Sequence, residues 1–210
     1  MRVLIVGASG GTGRALLAQA LARGHEVTAL VRDTAKLALR HEHLRVVQGD
    51  VLDPVSVDAA VAGQEAVLSA LGHKRFMIPT RILSDGTRNL LQAMERHGVR
   101  RYIGMSALGV GDSWWRMGLY YTLFVTPVIL QFYFWDKRRQ ERLIRSSELD
   151  WTIVRPGALT NGRPRGAWRT GPTIGNPIWT VRIARADVAH FVLDQLASTK
   201  HLRQTVAIAW

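Results

Sequence analysis

The sequence contains no cysteine, few acidic residues and few lysines. Without cysteine the chain has no disulfide framework, no thiolate metal site and no cysteine nucleophile, a composition that fits a reducing cytoplasm. Its 28 basic residues, of which only four are lysine, outnumber 16 acidic residues, and the formal net charge is +12. Two explanations of the arginine excess stay open: anionic ligands, which guanidinium groups bind bidentately, or the codon usage of a GC-rich genome.

The start of the chain lacks an apolar run long enough for a secretion signal. The first run ends at Gly7, short of the roughly 7–15 apolar residues that a signal peptide needs, and it is typical of a buried strand. With 47% apolar residues among 210, the chain has ample material for a core. We therefore expect a cytoplasmic protein that folds as one domain over residues 1–210.

Two periodicities alternate along the chain. Short apolar runs without in-and-out alternation indicate strands buried on both faces, and they occur at residues 27–31, 44–47, 65–71, 102–105 and 151–154. Helical patterns separate them, at residues 13–23, 54–61, 80–97, 137–147 and 185–197. This alternation predicts an α/β fold, a Rossmann-like doubly wound parallel sheet with helices on both faces.

A glycine-rich loop, GASGGTG at residues 7–13, lies between the first predicted strand and the first predicted helix. Its glycines are spaced GxxGxxG, which allows a tight turn to bring backbone N–H groups to a pyrophosphate at the helix N-terminus. The strand–turn–helix context makes the pattern much more specific than glycine spacing alone. The loop therefore predicts dinucleotide binding.

The end of the second predicted strand bears on the choice of cofactor. NAD sites usually place an acidic residue there for the ribose 2′-hydroxyl, but this chain places Arg32 first and Asp33 after it. A guanidinium suits a 2′-phosphate, and Lys36 follows one helical turn later. The charges favour NADP(H).

Four sequence blocks carry a family resemblance. GASGGTG, LVRD ending at Asp33, GDVL at residues 49–52 and VAGQEAV at residues 61–67 resemble the atypical short-chain dehydrogenases/reductases. Within them the chain is most similar to the biliverdin-IXβ reductase/flavin reductase group, closely over residues 1–111 and more loosely over residues 136–210. The residues that this resemblance assigns to the cofactor run from the pyrophosphate to the nicotinamide. They are Gly7, Ser9, Gly10, Gly11, Thr12 and Gly13 for the pyrophosphate; Arg32 and Lys36 for the 2′-phosphate; Asp50 and Val51 for the adenine; Leu71 and Gly72 for the second ribose; and Ser106, Pro156, Gly157 and Ala158 around the nicotinamide.

The candidate catalytic residues are Ser106, Tyr133 and Lys137. Where the resembling reductases carry a histidine near the substrate, this sequence has Ala158. Tyr133 and Lys137 have the Tyr-x-x-x-Lys spacing of common short-chain dehydrogenases, which would place them on one helix face and let the ammonium lower the phenol pKa. Water, Ser106 and Tyr133 all remain candidate proton donors.

An aromatic-rich insertion spans residues 112–136. Nine of the sixteen aromatic residues lie between Trp114 and Trp135, and seventeen consecutive residues, 119–135, carry no charge. This insertion is interpreted as a lid over a flat aromatic substrate, as an interfacial membrane contact with a basic flank, or as core or homodimer contact.

Two ligand classes are not expected. His41-Glu42-His43 lacks the i, i+4 spacing of a zinc helix, so no metal site is predicted. The basic stretch 137–169 accompanies no base-reading motif, so no nucleic acid is expected.

The sequence predicts an NADPH-dependent reductase of a planar, electron-poor small molecule such as a flavin, quinone or tetrapyrrole. The alternatives are a non-catalytic NADP(H) redox sensor and a quinone reductase held at a membrane surface.

Overall fold

The computed structural model describes residues 1–37, 39–73, 75–171 and 173–210, and within these ranges one eight-stranded sheet organises the chain. The strands are β1 (Arg2–Val6), β2 (Glu26–Val31), β3 (Leu44–Gln48), β4 (Ala66–Ser69), β5 (Arg101–Met105), β6 (Asp150–Pro156), β7 (Ala158–Thr160), β8 (Arg169–Gly171), β9 (Arg182–Ala184) and β10 (Gln204–Ala209). The sheet order is β3-β2-β1-β4-β5-β6-β10-β8, and β7 pairs with β9 separately. Only β8 pairs antiparallel in the large sheet, so the predicted fold class is confirmed.

The helices lie on both faces of the sheet. They are α1 (Gly11–Ala22), α2 (Pro54–Val61), α3 (Ile82–Arg96), α4 (Gln131–Arg145) and α5 (Arg185–Asp194). Helices α1 and α5 pack together on one face, while α2, α3 and α4 cover the other. Helix α2 matches its predicted bounds, and α1 ends as expected before Gly24, which has a positive φ of 74°. Helix α5 ends at Asp194, three residues before the predicted end.

The two-sided burial explains the unbroken apolar runs of the strands. In β1, Val3 and Ile5 belong to the core on the α1 and α5 side, whereas Leu4 and Val6 belong to the core on the other side. Because successive side chains of a strand point to opposite faces, a strand covered by helices on both faces needs apolar residues at every position.

The predicted helix at residues 137–147 is wrong in its start. Helix α4 begins at Gln131 and directly continues a π-helical segment, Tyr121–Leu130, which contains Pro127. Proline cannot donate the backbone hydrogen bond of an α-helix and its ring crowds the preceding turn, and wider π turns are one way a helix absorbs such a defect. The aromatic-rich insertion is therefore mostly helical and leads without a break into α4.

The strand order reverses between β1 and β4. From β1 the chain builds outward to β2 and β3, and from β4 it builds in the opposite direction to β5 and β6. In open parallel sheets a crevice forms at the carboxyl ends of the strands at such a reversal, and ligands bind there.

Candidate functional site

A cavity of about 980 Å³ opens at the carboxyl ends of β1, β2, β4, β5 and β6. Every residue that the sequence nominated for cofactor binding or catalysis lines this cavity. They are Gly7, Ser9, Gly10, Gly11, Thr12, Gly13, Arg32, Lys36, Asp50, Val51, Leu71, Gly72, Ser106, Tyr133, Lys137, Pro156, Gly157 and Ala158. The fold thus brings together residues that are up to 151 positions apart, from 7 to 158, while the role of each remains a prediction.

The glycine loop is shaped by two close approaches. Gly7 has a φ of +81°, and a Cβ at that position would lie 2.6 Å from the carbonyl oxygen of Ala70. A Cβ on Gly13 would run into the carbonyl oxygen of Gly7, so the first turn of α1 can sit against the loop only without a side chain there. No side chain caps this turn at Gly10, and the turn holds no acidic residue. The loop therefore leaves a helix N-terminus accessible to an anion and fits a pyrophosphate.

Cations line the part of the cavity beside the glycine loop and the end of β2. Arg32 is exposed beyond the end of β2, and the Lys36 Nζ lies 3.2 Å from a carboxylate oxygen of Asp33. Sequence reasoning missed Arg14, whose guanidinium donates to the Lys36 carbonyl oxygen at 3.2 Å. It also missed Arg185, the first residue of α5, whose Nε lies 2.7 Å from where a Gly11 Cβ would be. Arg185 lines the cavity beside the glycine loop, where a phosphate would be attracted, whereas Arg14 supports the backbone at Lys36.

Ser106 lies at the other end of the cavity, just beyond β5. Ser106 is 93% buried, and its hydroxyl has no hydrogen-bond partner among the residues that the structure describes. Buried hydroxyls in proteins nearly always have a partner, so this one is available to a ligand in the cavity. The place of Ser106 beside a nicotinamide stays a prediction.

Lys137 ties the ends of two strands together. Its buried ammonium donates to the carbonyl oxygens of Leu71 (3.2 Å) and Met105 (2.7 Å) and to the side-chain oxygen of Gln140 (3.0 Å). Leu71 lies beyond β4 and Met105 ends β5. All three protons of the ammonium already have protein acceptors. Lys137 therefore holds the backbone at Leu71 and Met105, two residues that line the cavity, in place.

The expectation that Lys137 lowers the pKa of the Tyr133 phenol is wrong. Burial, with a smaller contribution from the Asp136 carboxylate, raises the pKa of Tyr133 to about 12. The ammonium of Lys137 lies 5.8 Å from the centre of the Tyr133 ring and donates its protons elsewhere. Tyr133 instead packs edge-on against His73 and Phe76, with ring centres 5.0 and 5.5 Å away. A phenol this weakly acidic is a poor proton donor.

The burial of Lys137 predicts a pH dependence of stability. Desolvation lowers the pKa of Lys137 from 10.5 to about 8, against the opposing Glu141 and Asp136 charges. Between these values the unfolded chain binds the proton and the folded protein does not, so stability rises with pH. Relative to Lys137→Met, the wild-type free energy of unfolding should gain about 2 kcal/mol from about pH 7 to about pH 9.5. Urea titrations at both pH values test this, and parallel pH profiles of the two proteins would contradict it.

An apolar wall closes the Ser106 end of the cavity. It consists of residues from the β4–α3 loop, the insertion and α4, namely Phe76, Met117, Tyr121, Leu130, Tyr133 and Phe134. The interpretation of the aromatic insertion as a pocket wall thus matches the position of its inner side chains. Sequence reasoning missed Phe76 and His73, which come from the loop after β4 and carry no motif.

His73 is held in one neutral form. Its Nδ1 accepts from the Arg75 backbone N–H at 3.2 Å, so the ring proton is on Nε2, which lies 3.1 Å from the Thr80 hydroxyl. Burial lowers the pKa of His73, against the Asp136 carboxylate. His73 is therefore an uncharged member of the cavity wall at neutral pH.

The part of the chain that the structure describes has neither a membrane-spanning helix nor a cluster of metal ligands. Within the described ranges no helix is both long enough and apolar enough to cross a membrane. In the same part of the chain no group of three or more histidine and acidic side chains could hold a metal ion.

Comparisons with known proteins agree with this geometry. The model of an NAD(P)H-binding family matches residues 7–199. A chloroplastic protein of uncharacterised function from Arabidopsis thaliana is 32% identical over 180 residues, which are 79% of this chain and 61% of that protein. The chain spans about three-fifths of the length of the first curated relatives it matches.

Solved structures share the fold. A short-chain dehydrogenase/reductase from Veillonella parvula in complex with NADP superposes with a TM-score of 0.83 at 21% identity, covering 100% of this chain and 94% of that one. ChuY, an anaerobilin reductase from Escherichia coli O157:H7, superposes with a TM-score of 0.82 at 24% identity, covering 100% and 97%. The doubly wound sheet, the glycine loop at the strand-order reversal and the family match over residues 7–199 show that this chain belongs to an NAD(P)H-binding family.

Proposed function

We propose that the protein is an NADPH-dependent reductase of a planar, electron-poor acceptor such as a flavin, quinone or tetrapyrrole. The observation that carries this proposal is that the cavity lined by all the nominated residues has two chemically different ends. One end is formed by the glycine loop and cations, the other by aromatic side chains, and the unpartnered Ser106 hydroxyl lies toward the aromatic end. The cavity volume is at the upper end of the roughly 300–1,000 Å³ typical of ligand sites, which suits a large cofactor with an acceptor against it.

The residues of the chain bind the cofactor, orient the acceptor against it and exclude water from the site. Bound NADPH supplies the hydride, as nicotinamide cofactors do. The glycine loop and Arg185 would hold the pyrophosphate, Arg32 and Lys36 the 2′-phosphate, and Ser106 the nicotinamide end. Lys137 fixes the backbone at Leu71 and Met105 beneath that end. The apolar wall shapes a flat, water-poor space for the acceptor, so catalysis is mostly positioning.

The proton that accompanies the hydride comes from water or through Ser106 rather than from Tyr133. Burial raises the pKa of the Tyr133 phenol to about 12, far from the near-neutral pKa that suits a general acid, whereas solvent supplies protons without a tuned side chain. Planar acceptors such as quinones and flavins need little acid catalysis from the protein, because their reduced forms take up protons readily from solvent.

Arg32 is expected to set the preference between the two nicotinamide cofactors. Arg32→Ala removes the guanidinium nearest the predicted 2′-phosphate and should weaken NADPH binding by about 10–100-fold, the usual range for charge-assisted hydrogen bonds. NADH binding should change less than about threefold, because NADH carries no phosphate there. Fluorescence titration with both cofactors measures the ratio. Arg45→Ala, a change to an exposed arginine of β3 outside the cavity, is the matched control. Equal losses for NADPH and NADH would contradict the assignment.

Turnover tests the proposed reaction. NADPH oxidation is followed with FMN, menadione and biliverdin as acceptors, and oxidation with at least one of them at rates above the protein-free control is expected. A competing function, a non-catalytic NADP(H) sensor, is favoured by Ala158 at the position where related reductases carry histidine. Tight NADPH binding without turnover across the acceptor panel would support the sensor and overturn the reductase.

A further inference from the structure

The outer side of the helical part of the aromatic-rich insertion is an apolar surface that no other part of the described chain covers. None of the ten residues of the π-helical segment Tyr121–Leu130 is buried, although this segment contains no charged residue. The large apolar side chains on its outer side, and on the residues before and after it, are 42–65% exposed: Leu119, Tyr120, Leu123, Phe124, Val128, Ile129 and Trp135. Such a concentration of exposed apolar side chains marks a contact surface.

Neighbouring segments extend this surface. The Leu119 backbone N–H donates to the carbonyl oxygen of Ile178 at 3.2 Å, which places Ile178 and Trp179 beside the start of the helix. Their side chains are 63% and 73% exposed, and Trp114 and Trp115 are also exposed. We call this set, residues 114–115, the outer side of 119–135, and 178–179, the apolar face.

Arginines border the apolar face, whereas the acidic residues nearest to it in the sequence are buried or paired. The Arg116 guanidinium lies 5.0 Å from the centre of the Trp115 ring, and that of Arg139 lies 3.7 Å from the centre of the Trp135 ring. Arg138 and Arg142 follow on α4. No acidic residue occurs between Asp112 and Asp136. Asp136 is fully buried, and the carboxylate of Asp112 is paired with Arg155 at 2.6 Å.

We propose that the apolar face docks on an anionic membrane surface. Tryptophan and tyrosine side chains favour the boundary between headgroups and acyl chains, and arginines beside them attract anionic headgroups. The net charge of +12 adds long-range attraction to such a surface. A second copy of the chain is a poorer occupant, because a two-fold contact through this face would bring the bordering arginines of both copies together.

Vesicle co-sedimentation without cofactor tests the docking. At low salt the protein should sediment with vesicles of phosphatidylcholine and phosphatidylglycerol and much less with phosphatidylcholine alone. Val128→Ser should weaken the binding at least about threefold, and Phe124→Ser/Val128→Ser at least about tenfold, because apolar groups leave the interface. Val55→Ser, at a 77% exposed valine at the start of α2, is the matched control and should bind as the wild type does.

Three outcomes would overturn the docking proposal. They are no sedimentation with anionic vesicles at low salt, equal losses for Val128→Ser and Val55→Ser, and a dimer that these helix substitutions dissociate without any vesicle binding. NADPH titration of each variant is a separate readout. The NADPH affinity should be unchanged, since Phe124 and Val128 point away from the cavity. The titration therefore reports on the proposed reductase independently of the membrane.

Discussion

Gly13→Ala is expected to weaken NADPH binding by at least about a hundredfold, which corresponds to about 2.7 kcal/mol of binding free energy. A Cβ at this position would run into the carbonyl oxygen of Gly7 and would lie 2.7 Å from the Gly7 carbonyl carbon. Backbone atoms cannot move aside as a flexible side chain can, so the loop must open away from α1. The N–H groups that face the predicted pyrophosphate would then lose their arrangement. Fluorescence or calorimetric titration measures the loss.

Substitutions at two further glycines test whether the loss of affinity follows the severity of the clash. A Cβ on Gly10 would lie 3.3 Å from the Gly7 carbonyl oxygen, so Gly10→Ala should weaken binding less than Gly13→Ala does. Gly162→Ala is the control, because a Cβ there meets only the Thr160 hydroxyl at 3.6 Å. Circular dichroism and thermal unfolding show whether each variant is folded. A folded Gly13→Ala protein with wild-type affinity would show that the loop does not hold the pyrophosphate.

Local patterns predicted the fold and most of the cavity because each lies within one strand–turn–helix unit. The loop after β1 and Arg32 after β2 follow buried strands, and parallel strands bring their carboxyl ends to one edge. Arg185 and Phe76 could not be found in this way. Arg185 reaches the glycine loop from α5, across 174 positions from Gly11, and Phe76 sits in a loop without a motif.

Spacing also misled the interpretation of Tyr133 and Lys137. The four-residue interval does place both on the cavity side of α4, as predicted. It cannot reveal that the Lys137 ammonium donates to the carbonyl oxygens of Leu71, in the loop after β4, and Met105, at the end of β5. The same limit applies to the aromatic insertion. The sequence showed that its residues are apolar and uncharged, but only packing separates the inner side that lines the cavity from the exposed apolar face.

A buried ion pair anchors α4 to the sheet. Arg155 of β6 donates to both carboxylate oxygens of Glu141, at 2.8 and 2.6 Å, and each side chain is only 4% exposed. Arg155 also reaches Asp112, at the start of the aromatic insertion, at 2.6 Å. Glu141 has a second partner in Arg145 at 3.1 Å. This pair therefore fixes both ends of the segment that walls the cavity and carries the apolar face.

Arg155→Met is expected to lower the free energy of unfolding by about 3–5 kcal/mol, because it leaves the Glu141 carboxylate buried with only the partly exposed Arg145. Arg155→Met/Glu141→Leu should recover much of this loss, since an apolar pair of similar volume often replaces a buried ion pair at little cost. Arg100→Met is the matched control: it breaks an exposed pair with Asp150, with Arg100 60% exposed, and should cost less than about 1 kcal/mol. Urea unfolding of the wild type, Arg155→Met, Glu141→Leu and the double variant gives the coupling energy between Arg155 and Glu141. If the losses of the Arg155 and Glu141 single variants simply add in the double variant, the two side chains are not coupled, and the wall of the cavity must be anchored by other contacts of α4.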